Sequence, residues 1–375
     1  MEFYHLIEAN KFAAASVAIF ESAFPKKNHF IFISGSREQV LSLSENIDYS
    51  LLKDWNWKDA PNKLRGKRIV AHSLNHRICK LLNGLDIAEL IWLVYGAEVY
   101  NNRLLVGIDS WKTHKWTDNL NLSLRYYWYL FKVQAARVRG IIHGDVLQKS
   151  MLQKADRVGI LFEEEFNYFK KLKVLGPQSS FLPYTFYPLG EVIKEPQTVP
   201  KAKTKILIGN SANLTSLTIP VIPFLSKYTS LGWRFVFPLS YGDDDYKVLI
   251  EKEAIKGLGA EAVFLKDFMP LAEYEEVLGE VGIAIFNARR QQGVGNILSL
   301  IMKGARLYIN SNSTIYTFLK RLGIYFNDVH DLSRSKHKLE LLSNEQQREN
   351  REIVQELIKY SIVVDKLKSS LQRKI

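Results

Sequence analysis

Hydrophobic residues in this chain gather into short unbroken runs separated by helical patterns. An unbroken apolar run of four to six residues suits a strand covered on both faces, as in a parallel sheet flanked by helices. In the first half such runs predict strands over 3–7, 30–34, 68–71, 90–95 and 157–162, with helical patterns such as 37–43 and 76–82 between them. In the second half they predict strands over 205–209, 233–238, 262–265, 281–286 and 306–310. Helical patterns there cover 215–229 (interrupted by Pro220 and Pro223), 243–258, 270–281, 297–304 and 314–322. One long charged helix is expected over 345–373. Alternating strands and helices read as α/β with doubly wound sheets.

At 375 residues the chain exceeds what one core usually supports. Two prolines and several charges without an apolar period make 191–204 the best linker. The expected division is a first domain over 1–190, a second, more regular one over 205–342, and a C-terminal helix over 343–375.

Ligands of doubly wound sheets collect beyond the carboxyl ends of the strands, and four polar loops of the second half fall there. Gly209-Asn210-Ser211 follows one strand and Ser240-Tyr241-Gly242 another. Lys266-Asp267-Phe268 offers an aromatic ring and backbone groups to a base. The fourth loop, Arg289-Arg290-Gln291-Gln292-Gly293-Val294-Gly295-Asn296, runs from the apolar strand 281–286 into a helix. A helix start presents unpaired N–H groups and the positive end of its dipole, and glycine admits close approach, so a diphosphate is the expected guest. In the first half, Tyr95, Gly96 and Glu98 follow a strongly apolar strand. His143-Gly144-Asp145 reads as a turn.

Fifty-one Lys and Arg against 39 Asp and Glu give a formal charge of +12, which suits an anionic partner. The single cysteine, Cys79, excludes an internal disulfide and fits a reducing compartment. With no long apolar run and no signal-peptide pattern at the start, a cytosolic protein is expected. Between Trp111 and Arg139 aromatics and cations interleave with almost no acid, a composition that suits the headgroup layer of an anionic membrane. Nucleic acid is not expected, since no recognition motif is present. The acidic run Asp243-Asp244-Asp245 opens a helix, where acids are dipole-favoured, so no metal clamp is expected.

Two doubly wound domains, a central linker and a C-terminal helix resemble the GT-B glycosyltransferases. Many retaining members carry E-G-F-G where this chain has Gln292-Gly293-Val294-Gly295, and a further Glu, for ribose hydroxyls, where it has Leu300. G-N-S at 209–211, F-P-L-S-Y-G at 237–242, R-Q-Q-G-V-G at 290–295 and Y-G-A-E-V-Y at 95–100 are similar to a narrower group. These are the TDP-N-acetylfucosamine:lipid II N-acetylfucosaminyltransferases, of the 4-alpha-L-fucosyltransferase type, and the similarity is strongest over 205–331.

The resemblance implies a fold of two Rossmann-like domains facing across a cleft. It implies a transferase that moves a deoxyamino sugar from a nucleotide-diphosphate donor, TDP favoured, to an undecaprenyl-diphosphate-linked saccharide. It also implies a peripheral protein on the cytoplasmic side of the bacterial inner membrane, retaining, needing no cofactor. Donor binding is expected from Asn210, Ser211, Ser240, Tyr241, Phe268, Arg289, Gln291, Gln292, Gly293, Val294, Gly295 and Asn296. Arg290 is expected to carry the leaving diphosphate's charge. Tyr95, Gly96 and Glu98 are expected to bind acceptor, with Glu98 also a catalytic candidate. A UDP- or GDP-sugar transferase, a nucleotide-sugar epimerase and a basic binding protein are the alternatives.

Overall fold

The computed structural model describes residues 2–41, 48–54, 60–102, 145–194 and 202–373, with 105, 128 and 131 between them. Apart from Trp128 and Phe131, the basic aromatic stretch lies outside the described residues, as do His143, Gly144 and residues 195–201 of the linker. The described residues form two compact units. One takes them from 1–108, 139–192 and 357–375, the other from 109–138 and 193–356.

The first unit is built on seven strands: β1 (Phe3–Glu8), β2 (Asn28–Ser34), β3 (Tyr49–Leu51), β4 (Arg68–His72), β5 (Glu89–Leu93), β6 (Arg157–Ile160) and β7 (Ser180–Pro183). Their order is β3-β2-β1-β4-β5-β6-β7, and every pairing is parallel. The second unit holds β8 (Lys205–Ile208), β9 (Arg234–Pro238), β10 (Ala262–Leu265), β11 (Val281–Phe286), β12 (Arg306–Ile309) and β13 (Asn327–Asp328). Its order, β10-β9-β8-β11-β12-β13, is again wholly parallel. β11 is buried at all six positions, the burial that its unbroken apolar run predicts. The short strands β3, β7 and β13 carry too little apolar length to stand out in the sequence.

Two expected helices differ. The pattern over 215–229 is a string of short turns, Leu214–Ser216, Ile219–Val221, Ile222–Leu225 and Ser226–Leu231, because Pro220 and Pro223 cannot continue an α-helix. The single helix expected over 345–373 is two, Asn344–Ile358 and Tyr360–Gln372. Lys359 leaves the helical region at φ −53° and ψ 128°, and the Leu189 N–H takes the Ile358 carbonyl at 2.8 Å. The Asn344–Ile358 helix is pinned in the second unit, where Asn350 exchanges hydrogen bonds with the Tyr325 backbone at 2.7 and 3.0 Å. The Tyr360–Gln372 helix instead buries Val363, Leu367 and Leu371 in the first unit's core with Phe3, Phe20 and Phe30. Its last carbonyls, of Ser370 and Arg373, accept from the Arg157 guanidinium at 2.6 and 2.8 Å.

Candidate active site

The strand order of the second sheet reverses between β8 and β11, and at such a point the connections leave in opposite directions and open a crevice at the strand ends. The loop after β8 holds Asn210 and Ser211; the loop after β11 runs from Asn287 to Gly293. Both are anchored from below. Gly209 N–H donates to the Ile285 carbonyl at 2.8 Å. The buried Asn287 amide donates to the Leu217 carbonyl at 2.9 Å and accepts from Asn310 at 2.8 Å.

Gln292 joins these loops. Its Nε2 donates to Ser216 Oγ at 2.7 Å and to Asn210 Oδ1 at 3.2 Å. Its Oε1 accepts from Thr215 Oγ1 at 2.9 Å and from Arg290 Nε at 3.2 Å. The side chain expected to hold donor hydroxyls is thus engaged within the protein. Thr215 and Ser216, which complete this network, went unflagged in the sequence because a Thr-Ser pair before a proline carries no pattern of its own.

The helix after this loop starts at Val294, earlier than the pattern predicts, and runs to Met302. The N–H groups of Val294, Gly295 and Asn296 therefore lie in its first turn, where no carbonyl within the helix can accept from them. Gly293 before it has φ +70°, and a Cβ there would stand 3.1 Å from Asn210 Cγ. Only glycine meets both demands. Arg289, Arg290 and Gln291 are half-buried beside it, and burial lowers the Arg289 guanidinium below its usual pKa. A cation held in this way gains most from an anion brought to it.

The β9 loop is bound to the β8 loop. Ala212 N–H donates to Tyr241 O at 3.0 Å, and Asp243 N–H to Ala212 O at 3.0 Å. Gly242, at φ +129°, leaves room for this pairing, since a Cβ would fall 2.5 Å from the Ala212 carbonyl. Ser240 is half-buried, while Tyr241 and Phe268 stand 53% and 85% exposed at the ends of the adjacent β9 and β10. Tyr274, missed in the sequence, accepts from Asn296 Nδ2 at 3.0 Å. The acids that follow are structural: Asp243 caps the Asp244–Leu258 helix through Tyr246 N–H at 2.9 Å, and Asp244 pairs with Lys247. Leu300 is wholly buried.

In the first unit the strand order reverses between β1 and β4. Glu8, at the end of β1, accepts from Asn75 Nδ2 at 2.9 Å; Asn10 donates to the Tyr95 hydroxyl at 3.4 Å. None of Glu8, Asn10 and Asn75 was singled out from the sequence, as isolated polar residues after a strand are too common to mark. The tyrosine rests against Phe12 and Phe186, and Gly96 opens the Ala97–Tyr100 turn with φ +95°. Glu98 does not present its carboxylate at the surface. It is 4% exposed, and Oε1 accepts from Trp92 Nε1 at 2.9 Å and Tyr95 N–H at 3.0 Å. Burial raises its pKa, against the hydrogen bonds that favour the charge. The side chain closes the turn from within, holding the Tyr95 backbone.

The 4-alpha-L-fucosyltransferase model, glycosyl transferase group 56, matches residues 150–346. No curated protein sequence matches the chain. Among solved structures, HepE from Anabaena in complex with UDP and glucose is similar at TM-score 0.62 and 9% identity, with each chain covered over 100%. An alpha,alpha-trehalose-phosphate synthase (UDP-forming) from Burkholderia xenovorans is similar at TM-score 0.60 and 9% identity, also with 100% of each chain covered. Sucrose-phosphate synthase from Thermosynechococcus elongatus reaches TM-score 0.56 at 9% identity, over 99% of this chain and 98% of its own. At such identities the likeness is one of fold, and the fold is GT-B. The matched residues span the whole crevice at the ends of β8 and β11, and with them the chain belongs to the 4-alpha-L-fucosyltransferase family and is a glycosyltransferase.

Proposed function

We propose that the protein transfers a deoxyamino sugar of the N-acetylfucosamine kind from a TDP-sugar to an undecaprenyl-diphosphate-linked saccharide in bacterial envelope polysaccharide synthesis. The observation that carries the donor half is the cradle of donors around Gly293. The first-turn N–H groups meet Asn210, which lies against Gly293, and Arg290, which is tied to Asn210 through Gln292, with the half-buried Arg289 beside them, a set of donors suited to a diphosphate. Breaking the bond to the sugar builds charge on the leaving β-phosphate, and donors already aimed there lower the barrier without reorganising. Arg290 and the Gly293–Asn296 backbone take that role, with Tyr241 and Phe268 offering exposed faces to the base. The preference for TDP over UDP or GDP is supported by Leu300, whose buried apolar side chain holds no ribose hydroxyl. Transfer with retention needs no strong protein base, in keeping with the buried Glu98. Tyr95 and Gly96 face the acceptor. Metal independence and attachment to the cytoplasmic face of the inner membrane, through the stretch from Trp111 to Arg139, complete the reading.

The test is a transfer assay with an undecaprenyl-diphosphate-linked disaccharide and TDP-, UDP- or GDP-sugars, with EDTA or Mg²⁺. The expected result is lengthening of the lipid-linked glycan with a TDP-sugar, unchanged by EDTA. Transfer from UDP- or GDP-sugars alone would discard the donor assignment, and conversion of the free donor to an isomer would point to an epimerase.

A further inference from the structure

The hydrogen bonds around Gln292 have a direction, and Arg290 sets it. The Nε–H of a guanidinium can only donate, and Arg290 Nε lies 3.2 Å from one end of the Gln292 amide. That end must be the carbonyl Oε1, so the other is the NH₂. The NH₂ faces Ser216 Oγ at 2.7 Å and the Asn210 amide at 3.2 Å. An N–H facing an amide demands its oxygen, so Asn210 turns Oδ1 toward Gln292 and its own NH₂ away. Among the described residues nothing accepts from Asn210 Nδ2. The Asn210 side chain lies across Gly293, 3.1 Å from where a Cβ would be, at the entrance to the Val294–Met302 helix. Its NH₂ therefore adds to the helix N–H groups in a site composed of donors, which fits a group that only accepts.

We propose that Gln292 is a positioning residue that passes the fixed polarity of Arg290 to Asn210, so that Asn210 presents N–H, not C=O, to a phosphate oxygen of the donor. This rests on reading the loop as the diphosphate site. It assigns Gln292 no contact with the sugar. The same amide reaches Ser211 twice, directly at its hydroxyl at 3.5 Å and through Ser216 Oγ, which accepts from Gln292 and donates to the Ser211 carbonyl at 3.3 Å.

The test is a double-mutant cycle in TDP dissociation constants, by titration calorimetry, with UDP as the probe if the wild type prefers it. Asn210→Ala and Gln292→Met are each expected to weaken binding, the latter by about fivefold, as expected for part of one hydrogen bond to a charged group. In the Asn210→Ala background Gln292→Met is expected to cost less than about twofold, because its effect runs through Asn210. A purely structural role would give equal losses in both backgrounds, and that result would overturn the proposal. Asn210→Asp keeps the shape of a half-buried side chain, so it carries the test if Gln292→Met does not fold. It is expected to weaken TDP by more than about tenfold with an unchanged unliganded melting temperature; retained affinity would refute the relay. A wild type that binds no nucleoside diphosphate would overturn this inference and the donor-site reading together, whereas binding without coupling would sink the inference alone.

Discussion

At the scale of single residues, two buried groups in the first unit make opposite demands on pH. Glu98 has its pKa raised by burial, so the folded state holds its proton above the usual carboxylate range while the unfolded chain releases it. Its contribution is complete below the unfolded pKa and lost as pH rises through the folded one. Glu98→Gln is therefore expected to remove a downward slope of stability with rising pH from about 4.5 upward, read from urea midpoints. His5 and His72 act the other way. His5 Nδ1 and His72 Nε2 lie 3.0 Å apart, both rings are wholly buried, and burial lowers the His5 pKa to about 3 and that of His72 well below 6.5. The unfolded chain takes up protons that the folded one refuses, so stability is expected to fall as pH drops below 6.5. The slope is about 1.4 kcal/mol per pH unit for each ring. A flat profile from pH 6.5 to 4 would show that the pair is charged in the fold.

Among the elements, the Tyr360–Gln372 helix has its C-terminal end held by one side chain. Arg157 Nε pairs with the buried Glu89 at 2.6 Å while its other nitrogens take the last carbonyls of that helix. Arg68 pairs with the same Glu89. Arg157→Met would leave that carboxylate with one partner and two carbonyls without a protein donor. A loss of about 3 kcal/mol is expected, measured by urea unfolding. At the Val294–Met302 helix, Gly293→Ala combines an unfavourable φ with a contact against Asn210. It is expected to cost about 1–3 kcal/mol and to weaken nucleotide binding. Sequence patterns reached these elements unevenly. The unbroken run of β11 and the G-x-G after it announced a strand, loop and helix start. The break at Lys359 left no trace, because lysine is a good helix former and the carbonyl that breaks free is taken by Leu189, distant in sequence. Glu98 was legible as a carboxylate after a strand, but its inward turn depends on Trp92, which pattern alone does not orient.

Over the whole molecule, two units with separate cores and the donor site proposed in the second give a direct prediction. A ligand that binds only the folded second unit stabilises that unit by mass action. The measurement that tests the central claim most directly is thermal unfolding with TDP, UDP, GDP, ADP and CMP, with and without Mg²⁺, for the wild type and Arg290→Ala. The expected result is stabilisation by TDP of about 2.7 kcal/mol at a hundred times its dissociation constant, insensitive to Mg²⁺ and lost in Arg290→Ala. No shift with any nucleotide would contradict the placement of a donor site at the ends of β8 and β11.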